Sequence, residues 1–495
     1  MNRTKLDDTR REASQKLDPV KRSQLGQFLT STATADFMAS LFEQWPSHIR
    51  LLDPGAGIGS LTEAFAARFI KQAPKEGKLE AHCYEIEPIL IEYLADHLAK
   101  LEVEVRTGNR HLVSTIHERD FIAEAIYQIG MRGQTYTHAI LNPPYKKIST
   151  DSNHRRMLRQ VGIETVNLYT AFLALTIAMM DNGGEVVAIV PRSFCNGSYY
   201  RPFREYLLAR CAIKQMHVFE SRTKAFQDDE VLQENIIIYL VRGAAQREVT
   251  VSVSHDTTRH DYQARQLPFA EIVKPGDSEL FIHIPTEEAA AHPHLFTTSL
   301  MDLGLSVSTG PVVDFRMKDY WLAKPQGKCV PLLYAHHFKN GTFTWPREHK
   351  KPNALALSDE VQKWLMPRGF YALTKRFSAK EERRRLVAFV VDPAALPHDA
   401  YGFENHLNVF HSGKRGVPEA LARGLALFLN STAADLHFRN FSGHTQVNAT
   451  DLRTMRYPDR KSLERFGEWA MKHAGATQEE VDEQVEDGSK KSGKG

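Results

Sequence analysis

The stretch Ile49-Arg50-Leu51-Leu52-Asp53-Pro54-Gly55-Ala56-Gly57-Ile58-Gly59-Ser60 decides the fold class. Ile49 to Leu52 reads as a short apolar strand, and Leu61 to Ile70, directly after the glycines, reads as a helix. Strand, glycine-rich turn and helix form the unit that cradles a nucleotide-like ligand. Glycines let the backbone come close, and the helix N-terminus offers free N–H groups. The glycines do not follow the dinucleotide spacing G-x-G-x-x-G, so taken alone the turn is equally a tight connection.

Downstream, Leu79 to Tyr84 reads as a second strand ending in Glu85-Ile86-Glu87-Pro88, with a helix from Ile89 to Lys100. An acid at that strand end is placed to accept both hydroxyls of a ribose, and Ile86 to pack on a purine face. Val103 to Arg106 and Leu112 to Ile116 both read as strands around a Gly108-Asn109 turn. Asp120-Phe121 then opens a helical stretch to Ile129. Asp120 could accept from a purine amino group or simply cap that helix. Upstream, Leu25-Gly26-Gln27-Phe28-Leu29-Thr30-Ser31 precedes Phe37, Met38, Leu41, Phe42 and Trp45 at helical spacing. A Ser or Thr between Thr30 and Thr34 would cap that helix.

A further apolar run, Thr137 to Leu141, leads into Asn142-Pro143-Pro144-Tyr145. Two prolines fix φ and contribute no N–H, so the chain at this strand end is stiff. The Asn142 side-chain carbonyl, the Pro143 main-chain carbonyl and the flat face of Tyr145 could together hold a planar, amino-bearing ring. The bland alternative is a Pro-Pro turn. A polar basic loop follows, with Lys146, Lys147, His154, Arg155, Arg156 and Arg159, suited to phosphate contact or to plain solvation. Next come a helix from Leu168 to Met180, a strand from Glu185 to Val190, a helix from Tyr199 to Ala209, and strands at Ile213 to Phe219 and Asn235 to Val241. The sum is an α/β, doubly wound, mostly parallel seven-stranded sheet with an antiparallel edge hairpin. The hairpin loop carries Phe226.

Composition narrows the class. The chain has 495 residues, 42% apolar and 25% charged, with a net charge of only +3. That predicts two or three domains, and any nucleic-acid surface must come from local clusters of basic residues. The four cysteines lie far apart and the 22 histidines lack ligand spacing, which excludes a disulfide framework and predicts no metal site. No run of about 18 apolar residues occurs, so neither a signal peptide nor membrane contact is expected, and the scattered cysteines fit a reducing, cytoplasmic compartment. Residues 1 to 22 read as poorly ordered or a short surface helix. After Arg242 the texture changes: strand-like pieces at Val249 to Val253, Leu280 to Ile284 and Leu386 to Val391 alternate with turns. An α+β domain is expected over 246–480, and a helix end with a disordered tail over 481–495. The densest basic run, Lys375 to Arg385, suits either a solvated helix face or DNA-backbone contact. Phe441 to Asn448 strings together polar groups able to read base edges.

In their order along the chain, Gly26-Gln27-Phe28-Leu29-Thr30, Asp53-Pro54-Gly55-Ala56-Gly57, Glu85-Ile86-Glu87-Pro88, Asp120-Phe121 and Asn142-Pro143-Pro144-Tyr145 resemble the gamma-arranged N6-adenine DNA methyltransferases of restriction-modification systems, the TaqI-like group. The likeness covers about the first 245 residues. It is looser beyond, at Val307-Ser308-Thr309-Gly310 with Asp314-Phe315-Arg316, and at Ser442 to Gln446. Ser31 departs from the family's usual proline. The resemblance implies S-adenosylmethionine as cofactor, with Thr30 at its methionine end and Asp53, Gly55 and Gly57 lining its loop. It implies Glu85 on the ribose and Ile86, Asp120 and Phe121 around the cofactor adenine. Asn142 and Pro143 would bind the target amino group, Tyr145 would stack on the target base, and Phe226 is the candidate second wall. Lys146, Lys147, Arg155, Arg156, Arg316, Lys375, Arg376, His444 and Gln446 are the expected DNA contacts.

Residue chemistry agrees with that implication. An adenine amino group is a weak nucleophile because its lone pair is delocalised, and two acceptors out of the ring plane would make the nitrogen more tetrahedral. Double-stranded DNA is the expected partner of a monomer or weak dimer, with a restriction endonuclease encoded separately. Two rival readings keep the scaffold. One is a protein-glutamine or RNA methyltransferase using the same tetrapeptide; the other is an inactive DNA-binding methylase scaffold. A fused nuclease has no visible motif.

Overall fold

The computed structural model describes residues 3–18, 29–106, 109–219, 235–257, 259–285, 292–339, 342–378, 384–439 and 446–490. They form two compact units, Met1–Ile284 and Pro285–Gly495. The first reaches well past the expected boundary at 245.

Its centre is a nine-stranded sheet built from β1 (His48–Pro54), β2 (Glu76–Tyr84), β3 (Asn109–His117), β4 (Tyr136–Leu141), β5 (Met180–Pro191), β6 (Cys211–Phe219), β7 (Asn235–Arg242), β8 (Val249–Ser254) and β9 (Gln263–Leu267). The spatial order is β3-β2-β1-β4-β5-β7-β6-β8-β9. The pairings β2–β3, β1–β2, β1–β4 and β4–β5 are parallel, and β7 runs antiparallel to both β5 and β6. Two corrections follow. The sheet has nine strands rather than seven, and the antiparallel pair is interior, because β8 pairs parallel to β6 and β9 closes the edge. Val249 to Val253 reads correctly as a strand but belongs to this sheet, not to the second unit. Leu280 to Ile284, expected as a strand, lies in no sheet.

Helices cover both faces of the sheet. On one side α2 (Thr32–Ser40), α3 (Ser60–Gln72) and α4 (Pro88–Val105) bury Phe37, Met38, Phe65, Phe69, Leu94 and Leu98. On the other, α5 (Phe121–Gly130), α6 (Asn153–Gln160), α7 (Leu168–Met179) and α8 (Arg201–Leu208) bury Ile122, Ala125, Leu158, Leu173, Ile177 and Phe203. The expected extra hairpin near Val103 does not form. Leu90, Leu94, Leu98, Leu101 and Val105 continue one buried face of α4, while Val103 is 70% exposed. Helical spacing outweighs the β preference of the two valines.

The N-terminal segment is more than a loose surface helix. In α1 (Arg3–Lys16), Leu6 and Ala13, with Leu17 just beyond its end, are buried against Ile58 and Leu90. Asp7 accepts from the Thr32 N–H at 3.3 Å and from its hydroxyl at 2.6 Å, which ties α1 to the start of α2.

The second unit holds a four-stranded antiparallel sheet, Ser306–Thr309, Leu407–His411, Tyr371–Lys375 and Ala388–Val391 in spatial order. A mixed five-stranded sheet centres on Cys329–Leu333, and C-terminal helices include Glu419–Leu429 and Arg460–Lys472. The last helix, Gln478–Lys490, starts at a capping box: Thr477 N–H donates to Glu480 at 2.7 Å, and Glu480 N–H to the Thr477 hydroxyl at 3.3 Å. Residues 491–495 lie outside the described ones.

Candidate active site

β1, β2, β3 and β4 all end on one side of the sheet, and the strand order reverses between β1 and β4. Such a switch point leaves a crevice beyond the strand ends. Here it is a cleft of about 600 Å³, counted to its open mouth, and Gly55, Gly57, Glu85, Asp120, Phe121 and Asn142 all line it. Residues spread from position 55 to 142 thus share one cavity.

The glycine turn is held by main-chain bonds. Gly55 and Ala56 both donate their N–H to Tyr84 O at 2.9 Å, which splices the end of β1 onto the end of β2. Gly57 adopts φ +58°, and a Cβ there would sit 2.8 Å from Leu29 Cδ2, itself a cleft residue. Only glycine fits both demands.

Glu85 is buried, with its carboxylate drawn into the turn. Oε2 accepts from Gly57 N–H at 2.9 Å, and Oε1 from Ile86 and Glu87 N–H at 2.8 and 3.0 Å. Burial pushes this carboxyl's pKa up, and the three N–H donors act against the rise. With three of about four lone-pair sites occupied, the freest acceptor position lies on Oε2. Ile86 beside it is 55% exposed and lines the cleft.

Asp120 caps its helix and also lies on the cleft. Oδ1 caps α5 by accepting from Ala123 N–H at 2.9 Å, and the residue lines the cleft next to Phe121. Oδ2 meets His154 Nε2 at 3.1 Å. Asp53, by contrast, does not reach the cleft. It is fully buried, accepts from the Thr62 hydroxyl at 2.7 Å, and leaves Oδ1 without a hydrogen bond. Burial pushes its carboxyl up to about 7.

The cleft ends at Asn142, where side chains take over from main chain. Its Nδ2 donates to Thr30 Oγ1 at 3.0 Å, and its Oδ1 accepts from the Tyr145 hydroxyl at 2.9 Å. That hydroxyl also lies 3.3 Å from Ile189 O, so one proton is shared between two acceptors. Thr30 therefore braces the tetrapeptide and is not among the residues lining the cleft. Pro143 is buried and Tyr145 half-buried, its ring edge-on to Tyr169 at 6.2 Å. Phe226 lies outside the described residues.

Leu29 and Pro144, from the quoted motifs, complete the lining together with Tyr84, Leu90, Arg119 and Phe172, for which the sequence alone suggests no site role. Tyr84 and Arg119 stand one residue before Glu85 and Asp120, so strand-end position could have found them. Phe172 is concealed in the uniformly apolar α7, although it packs on Phe121 at 5.0 Å.

The expected DNA contacts divide. The basic loop after Tyr145 contains α6, capped by Ser152. Arg155 is held there by Glu164, at 2.9 Å from Nε and 2.5 Å from Nη2, and is largely buried, so it is not an open phosphate contact. Lys146, Lys147 and Arg156 are exposed. In the second unit Arg316 is exposed beside Phe315. Lys375 and Arg376 are half-buried. Arg376 donates to Asn405 O at 3.1 Å and to Gln446 Oε1 at 3.4 Å, so two expected residues meet across 70 positions. Phe377, 45% exposed, pairs with Gln446 in an isolated antiparallel bridge and tilts against His406 at 4.9 Å. His444 is outside the described residues. No helix among the described residues is long and apolar enough to cross a membrane, and no cluster among them could hold a metal ion.

Known proteins are similar to this chain. A family model described as Eco57I restriction-modification methylase matches residues 88–226. The chain is 47% identical over 479 residues, 94% of both chains, to type II methyltransferase M.BsuBI of Bacillus subtilis. It is 42% identical over 468 residues, 93% of this chain and 92% of the relative, to type II methyltransferase M.PstI of Providencia stuartii. Among solved structures, the type IIL restriction-modification enzyme MmeI in complex with DNA superposes with a TM-score of 0.52 at 11% identity. That match covers 99% of this chain and 75% of MmeI, a likeness of fold. Identity at this level over nearly the whole length, together with the cleft, shows that the chain belongs to the type II DNA methyltransferases of restriction-modification systems.

Proposed function

We propose that the chain methylates N6 of an adenine flipped out of duplex DNA, using S-adenosylmethionine, as the modification enzyme paired with a separately encoded endonuclease. The carrying observation is the single cleft that runs from Gly55, Glu85 and Asp120 to Asn142. The residues fit the cofactor. Gly57 makes room for close approach, Glu85 Oε2 keeps an acceptor for a ribose hydroxyl, and Asp120 beside Phe121 and Ile86 suits an adenine amino group and its faces. When bound, S-adenosylmethionine supplies an electrophilic sulfonium methyl at the Asn142 end.

Asn142 Oδ1 and the Pro143 carbonyl accept from the target amino group and draw its nitrogen towards tetrahedral geometry, freeing the lone pair for in-line attack. Thr30 and Tyr145 hold the Asn142 amide at both of its atoms, so the acceptor is aimed before substrate arrives. The base must leave the duplex to reach this point, which costs a few kcal/mol. Stacking on Tyr145, with Phe226 as second wall, offsets part of that. The first unit is then the catalytic one. The second reads the target, with Arg316, Phe377, Arg376 and Gln446 as its candidate surface and His444 adjoining in sequence. Lys146, Lys147 and Arg156 meet phosphates.

The test is to express the chain in cells free of DNA methylation and sequence the modified bases. N6-methyladenine at one position of a recurring site is expected; methylated cytosine, or unmodified DNA from active enzyme, would overturn the reading.

A further inference from the structure

We propose that His154 is a positioning residue for the cofactor: by holding one oxygen of Asp120, it aims that carboxylate at the exocyclic amino group of the cofactor's adenine. This rests on the cleft being the S-adenosylmethionine site.

Asp120 is attached at both oxygens, but from different directions. Ala123 N–H in the first turn of α5 holds Oδ1 at 2.9 Å, and His154 Nε2 holds Oδ2 at 3.1 Å. With only the cap, the carboxylate could pivot about its Cβ–Cγ bond. A second anchor fixes its plane, and the lone pairs left over belong to a residue that lines the cleft. The charge state agrees with the geometry. Burial works to raise the Asp120 pKa, but the bonds from His154 and Ala123 outweigh it and the net direction is down. The bond to Asp120 raises that of His154.

His154 is itself well supported. It sits in the first turn of α6, whose Ser152 cap accepts from Arg155 N–H at 3.3 Å and whose Leu158 is fully buried. Glu164 binds Arg155 and Arg159 on the same helix, at 2.9 and 2.6 Å from their Nε atoms. The histidine is thus delivered by a helix pinned at three points, which a merely solvated imidazole would not need.

The experiment uses full-length protein and two ligands, S-adenosylmethionine and its analogue carrying unsubstituted purine in place of adenine, which lacks the amino group. His154→Ala is expected to weaken S-adenosylmethionine binding by about five- to tenfold and to leave analogue binding within about twofold. The loss should appear in KM for the cofactor and not in kcat. His154→Gln, which retains an N–H donor, should recover part of it and serves if the alanine variant folds poorly. Equal losses for both ligands, or no loss for either, would overturn the proposal. Asp120→Ser, which keeps a hydroxyl to cap the helix but is too short to reach the adenine amino group, separates the two failures. If it binds both ligands normally, the assignment of the cleft is wrong; if it weakens only S-adenosylmethionine while His154→Ala does not, the role of His154 alone is wrong.

Discussion

The two ends of the cleft are built by different means. At the glycine turn every fixed acceptor is met by main chain: Tyr84 O takes two N–H groups and Glu85 takes three. At Asn142 the partners are side chains from distant segments, Thr30 and Tyr145. Main-chain bonds at strand ends cannot be exchanged without unravelling the sheet, whereas a shared tyrosine proton can move to Ile189 O when a substrate amino group arrives. A rigid end suits a ligand that must bind the same way every turnover. An exchangeable end suits a group whose geometry changes during reaction.

The largest expected effect tests the exchangeable end. On the proposed mechanism Asn142→Ala removes an acceptor used in the transition state, so methyl transfer should fall by about 10³-fold or more while cofactor affinity stays within about twofold. Single-turnover transfer and calorimetry on the same preparation check this; parallel losses would erase the distinction between the ends. Gly57→Ala probes the rigid end. A left-handed alanine costs about 1 kcal/mol, and its Cβ would push Leu29 into the cleft. Cofactor affinity should drop by about tenfold with kcat at saturation little changed; wild-type affinity would show that the turn has slack.

The same contrast governs what could be read from sequence. The rigid end was legible because its signals are local: apolar strand, glycines, then helix spacing, with Glu85 and Asp120 at successive strand ends. The braces of Asn142 were not, since no spacing predicts that Thr30 meets a residue 112 positions on. Asp53 reads in the sequence as a residue of the cofactor's loop because it stands beside the glycine turn, whereas its bond to Thr62 depends on how α3 lies. Boundaries failed where pairing is non-local: β8 joins β6 across the edge of the sheet, and no texture change marks that. Of the basic residues, Arg155 was neutralised by Glu164, a partner visible in sequence but assignable only once α6 is folded.

A smaller effect separates aiming from stacking at Tyr145. Tyr145→Phe keeps the ring and removes the proton that orients Asn142, so kcat should fall by roughly three- to tenfold, the worth of one ordinary hydrogen bond. Tyr145→Ala should lose more, because the stacking face goes too. Equal effects of the two substitutions would assign the residue wholly to its hydroxyl.

The smallest effect lies beneath the rigid end, and its sign follows from linkage. Asp53 has a folded pKa of about 7 against 3.8 for the free side chain. Between those values the folded state binds the proton that the unfolded state has lost, so this group's contribution to stability falls as pH rises and levels off above about 7. Asp53→Asn keeps the shape and an acceptor for Thr62 but cannot ionise. The stability difference, asparagine minus aspartate, should therefore grow by about 1 kcal/mol between pH 6 and 8, measured by urea unfolding of both proteins. A difference that stays flat would mean that Asp53 Oδ1 has a partner when ionised, and that the floor of the glycine turn is charged and not neutral at the pH where the cleft binds.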